Sequence, residues 1–179
     1  AQLRLLVSDW RARWGGEIPF AWAQLPNFSG LGRDWPAVRE AMRNALALPR
    51  TGMAITVDVG EANDIHPRNK QEVGRRFALW ALGTVYQRAV PAVSGPLPAR
   101  HEVRDGRITV RFDHANGGLM ANGGALRGFE ISGADGAWSP AEARIAGDAV
   151  TVSSPTVSKP SGVRYAWSNL PQVTLFNGA

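Results

Sequence analysis

Asp64 and His66 lie close together in the run Asp64-Ile65-His66-Pro67, and of all the side chains in this sequence they are best suited to moving a proton. An imidazole changes charge near neutral pH, so it can take a proton from a nucleophile and return it to a leaving group. A carboxylate on one ring nitrogen fixes the tautomer and stabilises the imidazolium. Asp64 is read as that carboxylate. Asp58, a backbone carbonyl or a more distant carboxylate are the other groups that could orient the ring. A plainer reading makes His66 a loop residue that caps or packs, with Asp64 shaping an Asx-turn. Pro67 fixes its own φ and biases His66 toward extended backbone. A loop that follows a strand is where α/β enzymes tend to keep their chemistry.

The elements that must hold this loop follow from the local pattern. Met53 to Val57 is uncharged and partly β-branched, which predicts a buried strand. Asp58 closes it and Gly60 permits a turn. Asn69 and Glu72 have capping-box spacing at the start of a helix. Val73, Phe77, Trp80, Ala81, Thr84 and Val85 then recur on one helical face. Upstream, Leu3, Leu6, Val7, Trp10 and Trp14 predict a helix ended by Gly15-Gly16. That helix has no evident cap at Ala1-Gln2, as expected of a chain that starts inside a larger architecture. Ile18 to Leu25 reads as a strand. Gln24, near its end, either faces the site or is a buried amide satisfied by neighbouring backbone. Pro26 to Arg33 reads as a loop. Asp34 is a fitting N-cap with Pro36 in the first turn, and Val38, Ala41, Met42, Ala45 and Leu46 give a second helix that Pro49 stops.

The order α, β, α, β, loop, α is that of a parallel α/β layer. Two strands are too few for a sheet to stand alone, so further strands are expected from residues outside this sequence. Ala89 to Pro98, with three prolines and a glycine, reads as a linker. Beyond it come short alternating runs: Arg107 to Phe112, Leu126 to Ile131, Ala143 to Ile145, Ala149 to Val152 and Val163 to Ala166. Asp105-Gly106 and Gly147-Asp148 suit tight hairpins. The expected division is therefore an α/β portion over residues 1–90 and a small antiparallel β-sandwich over 91–179.

Composition narrows the function classes. The chain has 179 residues, 44% hydrophobic and 20% charged, as in ordinary globular proteins. It has no cysteine, which removes disulfides, thiolate metal sites and a cysteine nucleophile. The net charge is +5, with 12 Lys and Arg against 8 Asp and Glu in residues 1–90, and 8 against 7 in 91–179. The basic residues are scattered rather than interleaved with aromatics, so nucleic acid is not an expected partner. No apolar run reaches the length of a membrane span, and no charged-then-apolar leader is visible. His66, His101 and His114 lack metal-ligand spacing, and no Gly-rich phosphate loop precedes a helix, so neither metal nor cofactor is expected.

The run TGMAITVDVGEANDIHPRNKQEVGRRFALWAL, Thr51 to Leu82, resembles the final catalytic block of the sialate O-acetylesterase family, a branch of the SGNH (GDSL-type) hydrolases. DIHP followed by Lys70 and VGRR is the specific part. DWRARWGGEIPFAWAQLPNF (Asp9 to Phe28) and VRYAW (Val163 to Trp167) resemble two further segments of that family. The resemblance implies a partial three-layer α/β/α SGNH-like sheet, completed by an N-terminal part. It also implies hydrolysis of acetyl esters on sugars by a Ser-His-(Asp) mechanism, with His66 and Asp64 as the catalytic residues here. The sugar would be O-acetylated sialic acid or an acetylated xylan or xyloglucan, met in a bacterial periplasm or outside the cell. The expected partners are that carbohydrate and the nucleophile-bearing N-terminal part. None of the ten serines lies in a Gly-x-Ser-x-Gly elbow or in a Gly-Gln-Ser-Asn context, so this chain is expected to supply the histidine without the nucleophile and to be inactive alone. Many SGNH enzymes place the aspartate three residues before the histidine, a position that is Asn63 here.

A second class remains open. Trp138, Tyr165 and Trp167 could stack on sugar rings and make the β portion a non-catalytic carbohydrate-binding module, although aromatics in small β-domains are more often core. Arg164 is expected to join the two portions through a salt bridge, and His101 and His114 to be surface residues.

Overall fold

The computed structural model describes residues 2–30 and 34–179. Ala1 and the last three residues of the expected Pro26 to Arg33 loop lie outside the described residues. The chain mixes helices with one parallel and several antiparallel sheets. It divides into two compact units, Ala1–Ser94 with Ser168–Leu170, and Gly95–Trp167 with Pro171–Ala179.

In the first unit, helix α1 (Gln2–Trp14) buries only Val7 fully. Most of its other apolar residues are exposed, Trp14 by 66% and Leu5 by 70%. Arg11 anchors the end of the helix: its guanidinium donates to the Ile18 carbonyl at 3.0 and 3.1 Å and to the Pro49 carbonyl at 2.8 Å. Strands β1 (Phe20–Ala23) and β2 (Thr51–Ala54) pair in parallel, Phe20 opposite Thr51 and Ala23 opposite Ala54. Strand β2 thus begins and ends earlier than the Met53 to Val57 run predicts. Val57 is buried, but the backbone has already turned there, with Val59 N–H on the Thr56 carbonyl at 3.2 Å.

Helix α2 (Trp35–Asn44) starts after Asp34, whose side chain makes no capping bond; Pro36 supplies the fixed φ of the first turn. Helix α3 (Lys70–Trp80) runs on into a π-helical turn, Ala81–Val85. Asn69 caps it, accepting from Glu72 N–H at 3.1 Å. The expected reciprocal bond is replaced, because the Glu72 carboxylate faces Arg75 and Arg76 instead. Trp80 lays its indole across Gly52 of β2, where a Cβ would fall inside the ring. The Gly in TGMA is therefore fixed by a helix-to-strand contact.

The second unit contains nine strands. The hairpin β3 (Leu97–Arg104) to β4 (Arg107–Asp113) turns at Asp105 (φ +49°) and Gly106 (φ +71°), two successive left-handed residues as a type I′ turn requires. Next come β5 (Leu119–Ala121), β6 (Phe129–Ser132), β7 (Trp138–Pro140), β8 (Glu142–Ala146) and β9 (Ala149–Ser153). Gly147 (φ +64°) opens the two-residue turn between the last two. The chain ends with β10 (Gly162–Tyr165) and β11 (Leu175–Asn177). The sheets are β3-β4-β9-β8, β10-β6-β7 and β11-β5, all antiparallel. One core joins them, built on Ile108, Val110 and Phe112 of β4, Phe129 and Ile131 of β6, and Val150 and Val152 of β9.

Candidate active site

The loop between β2 and α3 carries both proton-handling candidates, and several contacts brace it. Asp64 lies two residues before His66, the spacing at which an aspartate oxygen meets the backbone N–H of residue i+2. Asp64 Oδ1 accepts that N–H at 2.8 Å, and the same oxygen is 3.4 Å from His66 Nδ1. Asp64 therefore closes an Asx-turn and also places its charge beside the ring. The ring contact is longer than an ordinary hydrogen bond. The His66 N–H first, then the ring and Arg68, hold the Asp64 carboxyl below its ordinary range, so it is anionic near neutral pH. The His66 side chain is 82% exposed, which leaves its far nitrogen, Nε2, open to solvent.

Around this turn, Glu61 and Asp64 form an isolated bridge, and Glu61 accepts the Arg68 N–H at 2.9 Å. The middle of the loop rests on the segment after β1. Ser29 donates its N–H at 3.0 Å, and its hydroxyl, to the Ala62 carbonyl. Gly60 sits so close to Asn27 that a Cβ would strike the Asn27 carbonyl. That segment is itself held, by Trp35 Nε1 on the Pro26 carbonyl at 2.7 Å and by Phe28 N–H on the Asn169 carbonyl at 3.0 Å. Asp58 has both oxygens on Arg76, at 2.6 and 2.7 Å, so its carboxylate is engaged away from the imidazole.

At the carboxyl end of β1, the buried Thr56 hydroxyl donates to the Gln24 carbonyl. The Gln24 side-chain oxygen is buried without a hydrogen-bond partner among the described residues, and so is Asn27 Oδ1. A buried Gln24 amide satisfied by neighbouring backbone is thus not what the structure gives for its oxygen.

No protein-family model matches the chain, and no curated protein matches it significantly. Among solved structures, it is similar to a carbohydrate acetylesterase from Xanthomonas citri. The two share 39% sequence identity with a TM-score of 0.92. The match covers 99% of this chain and 43% of the acetylesterase, so the chain spans less than half of that protein's length. The likeness is to a carbohydrate acetylesterase and does not single out the sialate O-acetylesterase family.

The aromatic candidates of the second unit are largely engaged in structure. The Tyr165 hydroxyl accepts the N–H groups of Thr174 and Leu175, both at 2.9 Å, and its ring packs on Phe129 at 4.4 Å. Trp138 is 39% exposed, with one face covered by the Arg164 guanidinium at 4.4 Å. The salt bridge of Arg164 lies within the second unit. Arg164 pairs with Glu130 of the neighbouring strand, at 2.8 and 3.1 Å, because the β10–β6 register sets Arg164 opposite Glu130. His101 is exposed and His114 is half-buried at φ +58°. Among the described residues, no three His, Asp or Glu side chains group as a metal site needs, and no helix is long and apolar enough to cross a membrane.

The residues missed in the sequence are the braces. Glu72 and Arg76 stand at i, i+4 on a helix and could have been paired on that spacing. Asn27, Ser29 and the Asp58–Arg76 pair bridge distant segments, and no local pattern announces them.

Proposed function

We propose that this chain is the C-terminal part of a carbohydrate O-acetylesterase and that it supplies the general base, His66. The observation that carries the reading is the 39% identity to a carbohydrate acetylesterase over 99% of the chain. The loop geometry supports it, with a carboxylate beside Nδ1 and Nε2 open. In this reading His66 Nε2 takes the proton of a serine hydroxyl as that oxygen attacks the acetyl carbonyl. Asp64 steadies the imidazolium that forms. The proton then passes to the departing sugar hydroxyl, leaving an acetyl-enzyme. Water, activated by the same imidazole, releases acetate. The serine and the oxyanion donors come from the remaining length of the enzyme. There, β1 and β2 join a wider parallel sheet of the SGNH three-layer type.

The substrate proposed is an O-acetylated sialic acid or an acetylated xylan or xyloglucan, and the setting a bacterial periplasm or exterior. The test is acetate release from acetylated oligosaccharides by the full-length enzyme carrying this chain. Turnover supports the reading, and its absence on acetylated sugars and aryl acetates alike removes it. The second reading, a sugar-binding β unit without catalysis, has partial exposure of Trp138 and Trp167 in its favour. Sugar-dependent Trp fluorescence that survives His66→Ala and falls with Trp138→Ala would favour it.

A further inference from the structure

The His66 loop leaves β2 and enters α3, and one side chain grips both ends. Arg76 forks onto Asp58, Nη1 to Oδ1 at 2.6 Å and Nη2 to Oδ2 at 2.7 Å. Nη1 also donates to the Ile55 carbonyl, just beyond β2. Nε donates to Glu72 Oε1 at 2.8 Å, in the first turn of α3. The three charged side chains are mostly sheltered, at 22% exposure for Arg76, 13% for Asp58 and 21% for Glu72. The exit from the strand and the start of the helix are thereby tied across the base of the loop. His66, at the loop's exposed outer part, takes its frame from that base together with the Ser29 and Glu61 contacts to the loop.

We propose that Arg76 is a positioning residue for His66, acting through the forked closure of the loop base. The inference rests on the reading of His66 as the base. The fork sets it apart from simple neutralisation of Asp58. Lysine would keep the positive charge but has a single nitrogen and cannot hold Ile55, Asp58 and Glu72 together in a planar fork. A displacement of about 1 Å at a reacting group can cost roughly 10²-fold in rate.

The experiment has two arms. In the full-length enzyme carrying this chain, the His66 ring signals and the amide exchange of residues 59–68 are followed by NMR in wild type, Arg76→Lys and Asp58→Asn. Faster exchange across 59–68 and shifted His66 ring signals, with the β1–β2 amides unchanged, are expected. A variant that loses stability while the loop and ring signals stay as in wild type would overturn the proposal. Asp58→Asn keeps the shape of its side chain and provides the test should Arg76→Lys not fold. In the full-length enzyme, Arg76→Lys is expected to lower kcat roughly 10²-fold with KM little changed. Rescue of kcat by lysine would show that charge alone suffices and would also overturn it. If His66→Ala itself keeps full turnover, the esterase reading fails, and the NMR arm alone decides the role of Arg76.

Discussion

One oxygen of Asp64 does two things, and they can be separated. It accepts the His66 N–H at 2.8 Å and stands 3.4 Å from Nδ1. Asn at this position keeps an oxygen for the turn and removes the charge beside the ring. Asp64→Asn is therefore expected to leave the loop folded and to lower kcat by about tenfold, less than the ~10²–10⁴-fold expected on removing a general base. Acetate-release kinetics of the two variants side by side check the ranking. A loss from Asp64→Asn as large as that from His66→Ala would mean that the charge, and not the turn, dominates. The residue type and spacing of this pair were legible in the sequence because both partners lie in one short run. The Asp58–Arg76 fork was not, since its partners are 18 residues apart and meet only when α3 packs back beside the end of β2.

Helix α3 holds the loop through its first turn and through its packing on β2, and each gives a measurable consequence. Hydrogen bonds from Arg75, then from Arg76, pull the Glu72 carboxyl from its ordinary 4.5 down to about 2, against the opposing cost of burial. A depressed carboxyl contributes stability above its unfolded value and loses it as pH falls through the folded one. The stability gap between wild type and Glu72→Gln should therefore be full above pH 4.5 and shrink toward pH 2, as urea titrations across that range would read. A gap that stays constant would contradict the Glu72 network. At the other end of the helix, Gly52→Val would push a side chain into the Trp80 indole. Overpacking of this kind costs about 1–3 kcal/mol, to be read from chemical denaturation. The hairpins at Asp105-Gly106 and Gly147-Asp148 were legible because their turn residues supply the positive φ. Strands β5, β7 and β11 were missed because runs of three residues are too short to show a period. Strand β3 was missed for a different reason: it contains Pro98 and is exposed along nearly its whole length, so no apolar alternation marks it.

At the scale of the molecule, the described parallel sheet has two strands, and the chain spans 43% of the acetylesterase that it resembles. A two-stranded parallel pair flanked by helices does not make an independent layer, which accords with the proposal that β1 and β2 belong to a wider sheet. The alternation of helices and strands in the first unit was readable from periodicity, and so were five of the nine strands of the second, β4, β6, β8, β9 and β10. The substrate was not, because no residue pattern in this chain distinguishes one acetylated sugar from another.

His66 is proposed as the base of an acetyl-ester hydrolysis. The most direct measurement is kcat for acetate release from an acetylated oligosaccharide by the full-length enzyme, wild type against His66→Ala, with circular dichroism confirming that both are folded. A fall of roughly 10²–10⁴-fold is expected. Near-normal turnover in a folded His66→Ala variant would contradict it.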